Sequence, residues 1–367
     1  GEGLATGDTV WRVKIDAGHS AGNGRAQVPR GRYYVASAPE TIDASKADWN
    51  WTGAKEGGGW VDAVAAPDAA NRTPVADPLP QQSFTPAAPG ETMRSDVGGD
   101  FPKHALTVPA NSHARILLRR DAMISGYPEL TVSGGTGANI KLTYGEALYD
   151  ADMKKADRDL VENRQAIGLF DTFLPDGPRR SFMPLWWRTW RYMELDVQTG
   201  ASPLKLESLR VHETSYPFQQ VAHFTSSDPQ LNRIWQVGWR TALIDAHETY
   251  MDSAYWEQLQ YTGDTRLQML ISYAVTGDPR LPRQAIEAFA ESDVEGGLEQ
   301  GAYPSRSDNV IATFSLLWIG MLADWSMEQP DTTTITRNLP RMRTILKWFE
   351  PWRAANGRAA SAPLSPG

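Results

Sequence analysis

The sequence has no cysteine, which excludes disulfides and thiolate metal sites and leaves stability to packing. Long apolar runs are also missing. The longest reads Leu316-Leu317-Trp318-Ile319-Gly320-Met321-Leu322-Ala323, far short of the ~20 residues that a membrane-spanning helix needs. Positive charge is the scarcer sign, with 36 Lys and Arg against 44 Asp and Glu and a net charge of −8. The basic residues are scattered, Arg119-Arg120 and Arg179-Arg180 being isolated pairs. Nucleic acid is therefore not an expected partner, because phosphate binding needs clustered positive charge. Residue 1 is Gly1 rather than Met and no signal-peptide pattern follows, which reads as a removed leader or a fragment. The absence of cysteine fits cytoplasm or periplasm, and a periplasmic or secreted setting is the favoured expectation.

What is present describes a water-soluble globular chain. At 367 residues, with 41% hydrophobic and 22% charged residues, it is too long for one ordinary core and fits two or three domains. Tryptophan is in excess, with 14 residues. Exposed indoles form sugar platforms, but large β-sandwich cores use tryptophan too, and composition leaves both readings open.

Residues 1–100 are rich in Gly, Pro, Ala and Asp, with short apolar pieces such as Val10-Trp11-Arg12-Val13-Lys14-Ile15 and Gly59-Trp60-Val61. These predict short strands in a first β-module. Pro74 to Gly90, with five prolines, reads as a linker or a strap over another domain. A second β-domain is predicted over 101–220. There Leu130-Thr131-Val132-Ser133 and Ile140-Lys141-Leu142-Thr143-Tyr144 alternate around a Gly-rich connection, the pattern of a hairpin with one buried face. At Ser227-Asp228-Pro229 the period changes. Asp228 suits an N-cap and Pro229 a first helical position, and Leu231, Ile234, Trp235, Gly238, Ala242 and Asp245 then share one side of a helix. Helical segments follow near Arg266–Val275, Leu281–Ala290, Val310–Met327 and Ile335–Trp352, so 221–367 is expected to be all-helical.

Several motifs fall away. His247-Glu248-Thr249-Tyr250-Met251 starts like a zinc-binding H-E-x-x-H but lacks the second histidine. Gly134-Gly135-Thr136-Gly137 lacks the Lys-Ser/Thr of a phosphate loop, and there is no G-x-S-x-G. The sequons at Asn50 and Asn71 are chance-level signals. Glu146 closes a strand and reads as structural. The stretch Asp252-Ser253-Ala254-Tyr255-Trp256-Glu257-Gln258-Leu259-Gln260-Tyr261-Thr262-Gly263-Asp264 does not fall away: it sets three carboxylates among three rings, between two helical segments. A carboxyl beside apolar rings loses water around its charged form and can stay protonated near neutral pH, as a general acid must. Rings next to carboxylates also hold sugars. The alternative is a solvated helix-start carboxylate at Glu257.

Read together with Gly126-Tyr127-Pro128-Glu129-Leu130, Leu142-Thr143-Tyr144-Gly145-Glu146-Ala147-Leu148-Tyr149-Asp150, Pro184-Leu185-Trp186-Trp187-Arg188-Thr189-Trp190-Arg191-Tyr192 and Tyr303-Pro304-Ser305-Arg306, this stretch resembles the α-L-rhamnosidases of glycoside hydrolase family 78. The resemblance runs over nearly the full length, in the right order. It implies β-sandwich, jelly-roll-like modules ahead of the first part of an (α/α)6 barrel. It also implies hydrolysis of terminal α-L-rhamnose from glycosides, oligosaccharides or polysaccharides, with inversion. Carried over from Thr262-Gly263-Asp264, it puts the general acid on Glu257. Asp264 and Asp252 then become ligands of the sugar hydroxyls, Tyr261 stands where the family often has tryptophan, and Trp256 replaces one member of an acidic pair.

No organic cofactor or metal ligand set is implied, and structural calcium is not readable from sequence. The family's general base lies further along the barrel and finds no counterpart here, so the chain reads as truncated inside the barrel. Glu295 and Glu299 are the nearby carboxylates that could stand in. A non-hydrolytic carbohydrate-binding protein is the alternative. Truncation would also leave apolar helix faces exposed, Trp318 and Trp348 among them.

Overall fold

The computed structural model describes residues 10–22, 36–52, 58–64, 76–155, 157–294, 296–306 and 308–353. The first hundred residues supply β1 (Arg12–Val13), β2 (His19–Ala21), β3 (Glu40–Asp43), β4 (Val61–Asp62), β5 (Thr85–Ala87) and β6 (Glu91–Ser95). Then follow β7 (Leu106–Val108), β8 (His113–Gly134), β9 (Asn139–Gly145), β10 (Phe170–Leu174), β11 (Gly177–Phe182), β12 (Arg188–Gln198) and β13 (Leu204–Glu213). The rest is helical: α1 (Pro229–Ile244), α2 (Thr262–Thr276), α3 (Arg280–Ala290), α4 (Ala312–Glu328) and α5 (Thr333–Phe349). No helix is long and apolar enough to cross a membrane among the described residues.

Eleven strands share one hydrogen-bonded network in the order β2-β3-β10-β9-β12-β8-β13-β5, with β6 and β11 on β8 and β7 on β13. The expected boundary near residue 100 leaves no break in this network: β2, β3, β5 and β6 all join it, and only β1 and β4 pair apart. At 22 residues β8 would run ~70 Å if straight, so it has to bend. Between the pairs Trp190↔Ile124 and Tyr192↔Arg119, β8 uses more residues than β12, which is a bulge. Its first half pairs with β12 and β6, its second half with β13 and β11. Ile116, Leu118, Leu142, Phe173, Trp190, Val197 and Leu206 fill the core between.

The predicted hairpin is corrected. Both strands form, but β9 pairs with β10 and β12, and the end of β8 pairs with β13 and β11. The connection is a crossing between the two halves. Gly134, Gly135 and Gly137 take φ values of 74°, 64° and 77°, and a Cβ at Gly135 would lie 2.4 Å from Leu204 Cδ1. The proline-rich run is a strap: β5 lies within it, Ser83 N–H donates to Ser215 O (2.9 Å), and Leu79 packs on the helical core.

The helices follow their sequence signals. Asp228 caps α1 by accepting from Gln230 N–H (2.8 Å), ahead of Pro229. Gly277 ends α2 at φ 66°. The helical core gathers Met269, Leu281, Phe289, Trp318, Leu322 and Ile345. The expected exposure of Trp318 is corrected, since it is fully buried and its Nε1–H donates to Ile286 O (3.0 Å). Trp348 is partly buried against the same core. Exposed apolar residues lie instead on α1 (Leu231, Ile234, Val237) and on α2 (Leu267, Leu270, Ile271).

Candidate active site

The stretch singled out in sequence is the connection between α1 and α2, and its backbone closes on itself. Asp252 N–H donates to Leu259 O (2.9 Å), and Leu259 N–H donates back to Asp252 Oδ1 (3.1 Å). Inside that closure, Ser253 Oγ donates to Asp252 Oδ2 (3.2 Å) and accepts from Glu257 N–H (3.2 Å). Gln258 takes φ 58°, a left-handed turn, held by its N–H on Ser253 O (3.0 Å) and its Nε2 on Ala254 O (2.9 Å). Glu257 thus sits at the apex of a tight turn. One oxygen is fixed: Tyr261 O–H donates to Glu257 Oε2 at 2.9 Å. Tyr261 immediately precedes α2, and Asp264 is exposed in the first turn of that helix, where the helix dipole favours a carboxylate.

The five residues expected in the site therefore fall on one short loop and the helix start that follows it. Asp252 uses both its oxygens to hold the loop, leaving only further lone pairs for a ligand. Trp256 has the Lys155 ammonium 4.4 Å over its ring, so that face is not open for stacking on a sugar.

Two carboxyls here are shifted. Asp252 is pushed up to about 6, first by burial and then by the nearby charge of Glu257, against the Leu259 N–H bond. Asp245, which caps the end of α1, is pushed up to about 7 by burial, with Asp252 adding to the rise. Asp245 Oδ1 accepts Ala254 N–H (2.8 Å), and its carbonyl accepts Met251 N–H (2.8 Å), so this residue anchors the loop from beneath. The sequence carried a signal for it, as the polar end of the apolar stripe on α1. Gln260 was not singled out. It is buried, accepts Tyr250 N–H (3.2 Å), and donates from Nε2 to Tyr303 O (2.8 Å), tying the loop to the segment before α4.

The β-domain meets the loop from the other side. Tyr255 O–H donates to Tyr144 O (3.0 Å), Trp187 stacks on His247 at 4.0 Å, and Ser37 N–H reaches Gln258 Oε1 (3.4 Å). Of the two stand-ins for a base, Glu295 lies outside the described residues. Glu299 is 1% exposed, neither oxygen finds a hydrogen-bond partner among the described residues, and burial pushes it up to about 9 despite Arg341 Nε at 3.6 Å. A carboxyl enclosed and protonated in that way does not activate water at neutral pH. His247 is likewise buried and neutral, pushed down to about 3. No group of three or more metal-ligating side chains occurs among the described residues.

Residues 219–360 match the family model of the bacterial alpha-L-rhamnosidase six-hairpin glycosidase domain. Three solved structures are similar in fold. The GH78 family rhamnosidase of Bacillus sp. GL1 aligns at 20% identity over 70% of this chain and 26% of its own, with TM-score 0.61. The rhamnosidase from Klebsiella oxytoca with rhamnose bound aligns at 18% over 78% and 60%, with TM-score 0.62. The Streptomyces avermitilis alpha-L-rhamnosidase complexed with L-rhamnose aligns at 17% over 88% and 30%, with TM-score 0.59. The chain thus spans between 26% and 60% of the lengths of these relatives. No curated protein matches it.

Proposed function

We propose that this chain is an α-L-rhamnosidase-like protein of glycoside hydrolase family 78 and forms part of an enzyme that hydrolyses terminal, non-reducing α-L-rhamnose with inversion, a reading supported by the family-model match over residues 219–360 and by the fold shared with solved rhamnosidases. In this reading the substrates are rhamnosides or rhamnose-containing oligosaccharides and polysaccharides. Glu257 is the general acid: protonated, it delivers its proton to the glycosidic oxygen as the bond to the sugar breaks. An inverting reaction needs a second, ionised carboxylate ~6.5–9.5 Å away to activate water on the opposite ring face, and that role is not assigned to a described residue.

The observation that carries the proposal is the Tyr261 O–H to Glu257 Oε2 bond at 2.9 Å. It holds one carboxyl oxygen and so aims the other. Burial and the nearby Glu257 charge raise Asp252, which places these two carboxyls close together in the loop. Asp264, exposed on α2, is the sugar-hydroxyl ligand, and Asp252 contributes through its remaining lone pairs. In this reading Tyr261 walls the site and Trp256 contributes to sugar binding.

A second reading is carbohydrate binding without hydrolysis, because burial raises Glu299, the carboxyl weighed as a stand-in base, and no described residue takes that role. One experiment separates the two. In the rhamnosidase reading the complete enzyme of which this chain is part cleaves aryl α-L-rhamnosides, and proton NMR detects β-L-rhamnose as the first product. Glu257→Gln then loses on the order of 10²–10⁴-fold in kcat/KM for poor leaving groups and far less for activated ones. Equal losses for both classes would rule out the acid role, and saturable rhamnoside binding with no turnover would select the second reading.

A further inference from the structure

The residue before the proposed acid is gripped from outside its own domain. Lys155 belongs to the segment between β9 and β10, about a hundred positions before the loop. Its ammonium lies 4.4 Å from the Trp256 ring centroid, 5.9 Å from that of Tyr255 and 5.2 Å from that of Tyr149. It is ion-paired with Glu146, and the two side chains are only 10% and 12% exposed. Arg158 reaches the same Glu146 oxygen at 3.3 Å. A shielded ammonium is stable only when paired, and among three rings it gains further from their negative faces. Lys155 is therefore held in place by Glu146 and in turn holds the indole. Tyr255, in edge contact with that indole at 5.2 Å, is tied separately to Tyr144 O.

Two consecutive residues ahead of Glu257 are thus fixed to the β-domain, while Tyr261 fixes its carboxyl from α2. Trp256 and Glu257 share a peptide unit, so the position of the indole limits where the backbone of Glu257 can go. We propose that Lys155 is a positioning residue: acting through Trp256, and backed by Glu146, it sets the orientation of the Glu257 carboxyl toward the leaving oxygen. The proposal rests on the reading of Glu257 as the proton donor. It also makes the β-domain a working part of the site rather than a neighbour.

The test compares Lys155→Met, which keeps an apolar stem, with Lys155→Arg, whose guanidinium can still pair with Glu146 and lie on the indole. In Lys155→Met, amide exchange at Glu257, Gln258 and Leu259 should accelerate by about tenfold or more while the amides of α2 keep their protection. For poor leaving groups kcat should fall about tenfold or more with KM nearly constant, and activated aryl rhamnosides should be affected much less. Lys155→Arg should recover most of both effects. Unchanged exchange in Lys155→Met would overturn the proposal. So would losses shared equally by all leaving groups, or loss of protection that extends through α2. If the complete enzyme turns over no rhamnoside, the functional reading has failed, and the exchange data still decide whether Lys155 holds the loop.

Discussion

Asp245 shows how one carboxyl links local structure to the behaviour of the protein. It ends α1, accepts the Ala254 amide, and burial pushes it up to about 7. A carboxyl whose folded pKa lies above its unfolded value of 3.8 binds its proton more tightly in the folded state. Its contribution is fully present below that unfolded value and is lost as pH rises toward about 7. Asp252, at about 6, and Glu299, at about 9, act in the same direction, while the depressed His247 acts oppositely as pH falls below its unfolded value. Asp245→Asn keeps an acceptor for Ala254 and removes one titration. The variant should show a flatter fall of urea midpoint between acid and neutral pH, with on the order of 1–4 kcal/mol separating the two curves across that window. Parallel curves would mean that Asp245 titrates alike in the folded and unfolded protein, so that burial does not raise it. At this scale the sequence exposed residue types and spacing, hence Asp252, Glu257, Tyr261 and Asp264. It carried no sign of Lys155, whose place over Trp256 depends on contact between segments far apart in the chain.

Among the elements, amphipathic spacing located the helices but not which face is covered. The sequence puts an apolar stripe on one side of α1, yet α1 has no buried residue and Ile234 is 65% exposed. α4, apolar almost all round, encloses Trp318 completely. Periodicity reports that a face is apolar, whereas burial depends on a neighbour that local sequence does not specify. The hairpin misread at Gly134–Asn139 has the same origin: alternation and glycines identified two strands and a turn, but strand pairing is long-range. The two helices should therefore respond differently to substitution. Trp318→Ala removes a fully enclosed indole and its bond to Ile286, and should cost about 3–5 kcal/mol in denaturant unfolding. Ile234→Lys should change stability by less than about 0.5 kcal/mol and raise solubility. A large loss from Ile234→Lys would show that this face of α1 is covered in solution.

Across the whole molecule, the buried cluster around Arg188 joins the N-terminal strands to the sheet behind the loop. Its guanidinium bonds Asp171 twice, at 2.8 and 2.7 Å, and also Ser37 Oγ (2.7 Å), Ala38 O (3.2 Å) and Glu40 Oε1 (3.0 Å). Asp171 further accepts Glu40 N–H (2.8 Å) and Tyr144 O–H (2.8 Å), while Glu40 accepts the amides of Leu185 and Trp186. The same Tyr144 offers its carbonyl to Tyr255, and Ser37 its amide to Gln258, so the cluster backs the loop at two points. Arg188 and Asp171 are both almost completely enclosed. Such a pair is weakly stabilising as a whole but costly to break from one side, because the survivor remains buried and charged. Arg188→Met should therefore destabilise the protein by about 3–5 kcal/mol, and Arg188→Met with Asp171→Leu should recover a large part of that loss in the same denaturation series. Loop amides at Gln258 and Leu259 should lose protection in the single variant and regain it only partly in the double, because the pair is replaced but the bonds to Ser37 and Tyr144 are not. If the double variant proves no more stable than the single, the energy resides in the bonds to Ser37, Ala38 and Glu40 rather than in the Arg188–Asp171 charge pair. The N-terminal segment would then be the principal support behind the loop that carries Glu257.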